Sequence, residues 1–267
     1  MRSIVDMDAT RFFLNEALDR VRIPVFSTSP ELQVLKEHGV CVIKAAYSQK
    51  ACDEIRAEID QLLRELPSSD VQKVEGDQRI YCAEQKSKNI FSFNQDKKFF
   101  LSGETYLGRR LTCVTLAAKI EFSPENKGSG GGWHRDSFSR QYKAILYLCD
   151  VCADNGPFEY VLGSHGIPSI LDAEKSLSRS GYRNLRYTQD EIDKVVQECQ
   201  LQKQLFLGKA GDVLLVDTRG LHRGSPLRSG ERYALTNYYF TPRQFRRTSI
   251  INDSLKSKYL GVHPEKE

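Results

Sequence analysis

Trp133-His134-Arg135-Asp136 is the stretch on which the reading of the fold turns. One residue separates His134 from Asp136, so on an extended chain both side chains leave by the same face and can grip one metal ion from one side. A third donor, His222, lies far downstream, beyond the apolar run Gly211-Asp-Val-Leu-Leu-Val-Asp217 and a tight Thr218-Arg219-Gly220 turn. Two imidazoles and one carboxylate, with the remaining positions open, are the donor set of a non-haem iron(II) centre. Taken singly, each residue is weak evidence. A lone histidine is more often a hydrogen-bonded surface or core residue, and a lone aspartate a turn residue. The weight comes from their order between strand-like segments. Arg232 follows His222 by ten positions, in the next such segment, where a guanidinium can hold a dicarboxylate through paired hydrogen bonds.

Outward from this stretch the chain reads as β-structure. Leu111 to Phe122 is a long β-prone run, and Ser129-Gly130-Gly131-Gly132 forms a flexible loop directly before Trp133. That glycine run lacks the Lys-Ser/Thr and helix of a phosphate loop. Downstream, Ala144–Leu148, Phe158–Leu162, Gly211–Asp217 and Tyr233–Phe240 are short, β-prone and bounded by turn residues. The succession predicts two packed antiparallel sheets closing around a site. Residues 170–200, polar with a helical stretch at Asp190–Glu198, form an insertion of the kind that covers active sites.

Upstream, Ser29-Pro30-Glu31-Leu32 opens a short helix that Glu37-His38-Gly39 closes, and Val40–Ile43 reads as a buried strand. Ser48 then caps a helix whose apolar positions Cys52, Ile55, Ile59, Leu62, Leu63 and Leu66 recur at helical spacing until Pro67. Residues 68–90 are polar and show no clear period, and Phe91–Leu107 is expected to be helical around Asp96-Lys-Lys-Phe-Phe100. The tail beyond Arg247 reads as helical or irregular and is given no chemistry.

At 267 residues with 40% hydrophobic and 28% charged residues, the chain is long enough for a sizeable core, and one domain is expected. Its parts are a helical support at about residues 1–110, a β-core at about 111–241 and a tail at 242–267. No apolar stretch is long enough for a membrane span. Asp6, Asp8, Arg11, Glu16, Asp19 and Arg20 break up the first thirty residues, so no secretory signal is expected. The seven cysteines are odd in number and, apart from Cys149-Asp-Val-Cys152, sit in apolar runs. That pair has no second CxxC to complete a zinc site, so free thiols in a reducing cytoplasm are expected. The net charge of +4 is spread out, with Arg243, Arg246 and Arg247 the one tight cluster. No nucleic-acid-reading motif or aromatic stacking pattern accompanies it, so the expected partner is a small-molecule substrate.

The sequence resembles the phytanoyl-CoA dioxygenase family of iron(II)- and 2-oxoglutarate-dependent oxygenases. The matching pieces are Glu37-His-Gly-Val-Cys-Val-Ile43, Trp133-His-Arg-Asp136, Asn155-Gly-Pro-Phe158, Gly163-Ser-His165, Gly211-Asp-Val213, and Leu221-His-Arg-Gly-Ser225 running on to Arg232. They span residues 30–240, and their order and spacing carry the likeness. The resemblance implies a mainly β, double-stranded β-helix fold of jelly-roll, cupin-like type with flanking helices. It also implies that His134, Asp136 and His222 hold Fe(II), that Arg232 binds the far carboxylate of 2-oxoglutarate, and that O2 is the co-reactant. Lys88 lies at about the position of a cosubstrate-binding lysine in phytanoyl-type members, and Tyr147, alternating with Ile145, points toward the same cavity. Both are candidate cosubstrate contacts. His165 falls in a turn outside the ligand set, as a structural or pocket-lining residue.

Such an enzyme couples oxidative decarboxylation of 2-oxoglutarate to hydroxylation of a C–H bond. Asp136 keeps a carboxylate, which disfavours the halogenating variant, where a small residue leaves room for halide. Trp133 and Arg135 flank the ligands and offer an aromatic wall and an anion contact for a polar or anionic metabolite. Two alternatives stay open at this point: a catalytically silent metal-binding β-helix module, and a cupin-type metal-dependent hydrolase or isomerase.

Overall fold

The structure, a computed structural model, describes residues 29–179, 184–249, 251, 256 and 259. The first 28 residues expected in the helical support, and most of the tail beyond Arg247, lie outside the described residues. The first described helix, α1 (Pro30–His38), is capped by Ser29, whose Oγ accepts from the Leu32 amide. It ends at Gly39, which adopts φ +81° and donates to the Leu35 carbonyl, a left-handed C-cap that glycine adopts without a Cβ penalty. Strand β1 (Val40–Ile43) follows directly. Helix α2 (Gln49–Glu65) starts at the Ser48 cap and buries Cys52, Ile55 and Ile59. Each fully buried isoleucine there contributes about 1.5–3 kcal/mol.

The stretch that the sequence leaves blank, residues 68–90, forms a hairpin of β2 (Val71–Val74) and β3 (Asp77–Tyr81). Its turn residues Glu75 and Gly76 both take positive φ. Phe91–Leu107 resolves into two helices, α3 (Lys88–Asn94) and α4 (Lys97–Leu107), the second capped by Asp96. The remaining elements are β4 (Thr112–Glu121), β5 (Tyr142–Tyr147), β6 (Phe158–Leu162), α5 (Ile167–Ser176), α6 (Gln189–Glu198), β7 (Gln202–Phe206), β8 (Val213–Val216), β9 (His222–Gly224), β10 (Glu231–Phe240) and α7 (Pro242–Arg247).

The strands form two sheets, one of seven in the order β1-β8-β5-β10-β4-β3-β2 and one of three in the order β7-β6-β9, antiparallel at every pairing. The outer face of the large sheet carries Ile80, Ala117, Leu146, Leu215 and Leu235 and packs on α1–α4 through Leu35, Ile59, Phe93 and Phe99. Its inner face, with Leu214 and Val216, meets Phe158 and Tyr160 of the small sheet. This is the jelly-roll arrangement of a double-stranded β-helix, with α1–α4 on the outer face of the large sheet.

The insertion at 167–198 departs from expectation. Its helices pack with Trp133, Val161 and Leu221 through Ala173, Ile192 and Val195, on the far side of the small sheet. Of its described residues only Leu185 and Arg186 reach the central cavity. Among the described residues, no helix is long and apolar enough to cross a membrane.

Candidate metal centre

Register brings the inner-face residues together. Across the large sheet Arg79, Ala118, Ala234 and Tyr147 share one rung, and Tyr81, Leu116, Thr236 and Ile145 share the next. Successive side chains alternate between faces, so Arg232, Ala234, Thr236 and Tyr238 of β10 all line the same cavity of about 800 Å³.

The metal-ligand candidates enter from the other side. His134 is not part of a full strand. It makes two isolated antiparallel bridges, one to Arg186 and one to His222, the latter with both backbone hydrogen bonds formed at 2.9 and 3.0 Å. The 133–136 segment is fixed on its other flank by Arg135 N to Leu185 O, and Asp136 N donates to Thr218 O. The loop that delivers His222 is held by Asp217, which accepts from the amides of Gln141 and Arg219 and from the Tyr106 hydroxyl at 2.7 Å. Gly220 closes that turn, and a Cβ there would collide with the Tyr160 hydroxyl.

The three side chains meet. His134, Asp136 and His222 each present a ligand atom, all within 4.8 Å of one another. His134 Nε2 lies 3.5 Å from Asp136 Oδ1, and His222 Nε2 lies 3.9 Å from Asp136 Oδ2. Each imidazole places Nδ1 against a carbonyl two residues upstream, Gly132 for His134 (2.8 Å) and Gly220 for His222 (2.9 Å). Those bonds assign the proton to Nδ1 and leave both Nε2 lone pairs for a metal. Burial and the neighbouring His134 push the His222 imidazole down to about 3, so it stays neutral at physiological pH. Burial alone would raise the Asp136 carboxyl, but the Lys143 ammonium and the two histidines hold it well below the usual carboxylate range.

The glycine run has a purpose other than flexibility. Gly130, Gly131 and Gly132 all have positive φ, and a Cβ on Gly130 would sit 2.3 Å from His134 Cε1. The loop therefore lies directly against the His134 ring. Gly130→Ala combines the left-handed penalty of about 1–2 kcal/mol with displacement of that ring. It is expected to weaken divalent-metal affinity more than it lowers the thermal midpoint of the metal-free protein, as read by titration and by thermal unfolding.

Arg232 is buried and lines one end of the cavity, and its Nε has no hydrogen-bond partner. A guanidinium remains charged in proteins, and leaving its donors unmatched in a buried site is costly. A carboxylate reaching this end of the cavity answers that need, so the residues present fit 2-oxoglutarate as well as a metal. Arg79, on the neighbouring rung, also faces the cavity but is paired with buried Asp77 at 2.5 Å.

The other candidates are placed differently. Tyr147 contributes its ring to the cavity wall, yet its hydroxyl donates to the Phe206 carbonyl (2.9 Å) and accepts from the Phe158 amide (3.1 Å). It ties the two sheets together and offers a cosubstrate no free donor. Lys88 is exposed at the start of α3 and does not line the cavity, so it is not placed to hold a cosubstrate. Trp133 is 2% exposed, donates Nε1 to Gln189 and packs beneath the Arg223 guanidinium, away from the cavity. The Arg135 guanidinium is likewise turned inward. It donates to the carbonyls of Ser164 (2.7 Å) and Arg219 (2.6 Å) and to the Tyr187 hydroxyl, stitching the two ligand-bearing segments together. Both residues flank the ligands in sequence; Trp133 does not line the cavity, and Arg135 borders it with its guanidinium already committed. His165 is buried against the Lys36 carbonyl, outside the cavity.

Sequence reasoning missed Lys143. Its ammonium lies 2.5 Å from Asp136 Oδ2 and 3.9 Å from the Tyr238 ring centroid. Its place on β5, opposite Tyr238 in register, was available from strand alternation once β5 was extended back to Tyr142. Lys143→Met leaves Asp136 without its cation. Metal-free protein should lose on the order of 2 kcal/mol, between the surface and fully buried limits for an ion pair. A saturating divalent metal should recover most of that loss in urea unfolding, and unchanged stability without metal would show that the pair contributes nothing.

The match to known proteins agrees with this geometry. A family model described as Phytanoyl-CoA dioxygenase (PhyH) matches residues 35–234. No curated protein matches the chain by sequence. Among solved structures, SnoN, the non-heme alpha ketoglutarate dependent epimerase from nogalamycin biosynthesis, has a TM-score of 0.62 at 16% identity, over 79% of this chain and 82% of its own. EctD from S. alaskensis with bound Fe has a TM-score of 0.62 at 13% identity, over 82% of this chain and 78% of its own. HygX from Streptomyces hygroscopicus, solved with nickel and 2-oxoglutarate, has a TM-score of 0.57 at 16% identity, over 81% and 88%. At such identities the likeness concerns the fold. Because the family model spans most of the chain and takes in all three ligand candidates and Arg232, this protein belongs to the phytanoyl-CoA dioxygenase family.

Proposed function

We propose that this chain is an Fe(II)- and 2-oxoglutarate-dependent dioxygenase that hydroxylates a C–H bond of a small polar or anionic molecule. The observation that carries the reading is buried Arg232, its Nε without a partner, sharing one cavity with His134, Asp136 and His222. A cupin-type hydrolase or isomerase has use for the three ligands but none for a dicarboxylate anchor. The solved neighbours SnoN and HygX, one alpha ketoglutarate dependent and the other with 2-oxoglutarate bound, support the cosubstrate.

His134, His222 and Asp136 would hold the metal, and Arg232 would pair with the far carboxylate of 2-oxoglutarate. When bound, iron(II) with 2-oxoglutarate and O2 supplies the oxidising power, yielding succinate and CO2 and leaving one oxygen atom for the substrate. The chain's own residues orient and enclose. Leu116, Ala118, Ile145 and Ala234 form an apolar wall between Arg232 and the ligands, which limits water around the cosubstrate. Lys143 holds Oδ2 of Asp136, and Oδ1 would then be the oxygen offered to a metal. Asp136 itself leaves no room for halide, which favours hydroxylation. The seven cysteines are all free, which fits a reducing compartment and a cytoplasmic location.

The test is succinate formation from 2-oxoglutarate by the full chain with Fe(II) and O2, with and without candidate substrates. Turnover that needs Fe(II) and rises with a substrate supports the reading. Neither turnover nor anaerobic binding of 2-oxoglutarate to the metal-loaded protein would leave a silent metal-binding module as the better description.

A further inference from the structure

The cavity walls are unevenly charged. Nine lining residues are arginine or lysine, and Asp136 is the one carboxylate among the described lining residues. Most of these cations are engaged within the protein, Arg79 on Asp77, Lys143 on Asp136, Arg135, Arg140 and Arg186 on backbone carbonyls, with Arg109 and Arg243 engaged as well, so the cavity's positive charge comes from groups already held in place. Arg232 awaits the cosubstrate. Four of the arginines, Arg109, Arg140, Arg243 and Arg247, line the opposite, outer end, around the close of α4 and the whole of α7.

That outer end is built rather than loose. Phe245 is fully buried and packs on Phe240, pinning α7 to the end of β10. Gln244 Nε2 donates to the Arg140 carbonyl at 2.8 Å, tying α7 to the segment that follows the metal ligands. The Arg140 guanidinium lies 5.5 Å from the Tyr106 ring centroid and donates to the Tyr106 carbonyl, which fixes its plane. Hydroxyls of Ser137, Ser139 and Thr241 line the same end. Fixed cationic donors in a cleft focus the field on an incoming anion, and guanidinium forks match carboxylate and phosphate oxygens.

We propose that this outer end is a subsite for an anionic group on the substrate, a carboxylate or a phosphate ester, bound by Arg140 and Arg243 with Arg109 and Arg247 at its rim. The proposal rests on the oxygenase reading and names the substrate class for it. Along β10 the order is Arg232 for the cosubstrate, Tyr238 beside Lys143 and Asp136, then Phe240 and α7 for the substrate anion. Two residues of strand, about 7 Å, separate the level of Lys143 from that of Phe240. A molecule with a few carbon atoms between its anionic group and the reacting C–H bond spans that interval.

The experiment titrates phenyl phosphate, phenylacetate and the uncharged control benzyl alcohol into the full chain loaded with Mn(II), with and without 2-oxoglutarate, at fixed ionic strength. At least one anion is expected to saturate while benzyl alcohol does not, and which anion does so separates phosphate from carboxylate chemistry. The Arg243→Gln/Arg247→Gln variant should weaken the anion about tenfold or more, one charge-assisted contact's worth, with 2-oxoglutarate affinity unchanged. Arg247→Gln alone, at an exposed position, gives a second reading if the double variant's thermal midpoint falls. Absence of saturable anion binding, equal binding by wild type and variants, or benzyl alcohol binding as tightly as the anions would overturn the subsite. Loss of 2-oxoglutarate binding alone would sink the oxygenase reading, while the titrations without it still decide the subsite.

Discussion

Replacing His222 with alanine is expected to abolish tight divalent-metal binding and, with it, 2-oxoglutarate turnover. His222 would supply one of three protein ligand atoms, and its Nε2 is preset by the Nδ1 bond to the Gly220 carbonyl. Loss of a mere outer partner of a metal ligand costs about 10- to 100-fold in affinity, so loss of the ligand itself should cost more. The ring also packs near Phe158 and Tyr160, at 5.6 and 6.4 Å between centroids. Part of the effect is therefore packing, and His222→Gln, which refills the space without an imidazole, is the control. Mn(II) binding followed by electron paramagnetic resonance reads the result directly. Wild-type affinity in both variants would remove His222 from the ligand set.

Arg232→Met should spare the metal and raise the 2-oxoglutarate requirement. Truncating one partner of a buried charge pair costs about 2–5 kcal/mol, roughly thirty- to a few thousand-fold in affinity. The cavity makes this a clean substitution in the unliganded protein. Burial already depresses the Arg232 pKa, and its Nε has no partner to lose. Methionine keeps the volume, so the metal-free chain should be as stable as wild type or more so. The measurement pairs the dissociation constant of 2-oxoglutarate with that of Mn(II). Equal loss of both would mean that Arg232 supports the fold of the site rather than the cosubstrate.

The parts of the site legible in the sequence were those with a local signature. His134 and Asp136 announce themselves by spacing and His222 by its position after an apolar strand and a tight turn, while Arg232 follows from strand order. The helices α1 and α2 carry their caps, Ser29 and Ser48, and a clear apolar period. What the sequence concealed depends on partners distant along the chain. The β2–β3 hairpin is polar because β2 is exposed over most of its length, with Val71 its single buried residue, so it lacks the alternation that marks a half-buried strand. Lys143 looks like a solvated residue until register sets it beside Asp136, 7 positions earlier in sequence. Arg135 and Trp133 reverse the error. Their neighbours suggested a substrate wall, but Trp133 packs away from the cavity and Arg135, though it borders the cavity, spends its guanidinium on the carbonyls and hydroxyl that hold the ligand segments. The glycines at 130–132 read as flexible because a sequence does not show which neighbour excludes a side chain; at Gly130 it is the His134 ring.

The measurement closest to the central claim is an anaerobic titration of 2-oxoglutarate into the full chain, with Fe(II) and without it, for wild type, His222→Ala and Arg232→Met. Binding of 2-oxoglutarate that needs Fe(II), vanishes with His222→Ala and weakens at least about thirtyfold with Arg232→Met is the result expected from one cavity holding both groups. Binding that is indifferent to Fe(II), or no binding at all to the iron-loaded wild type, would contradict it.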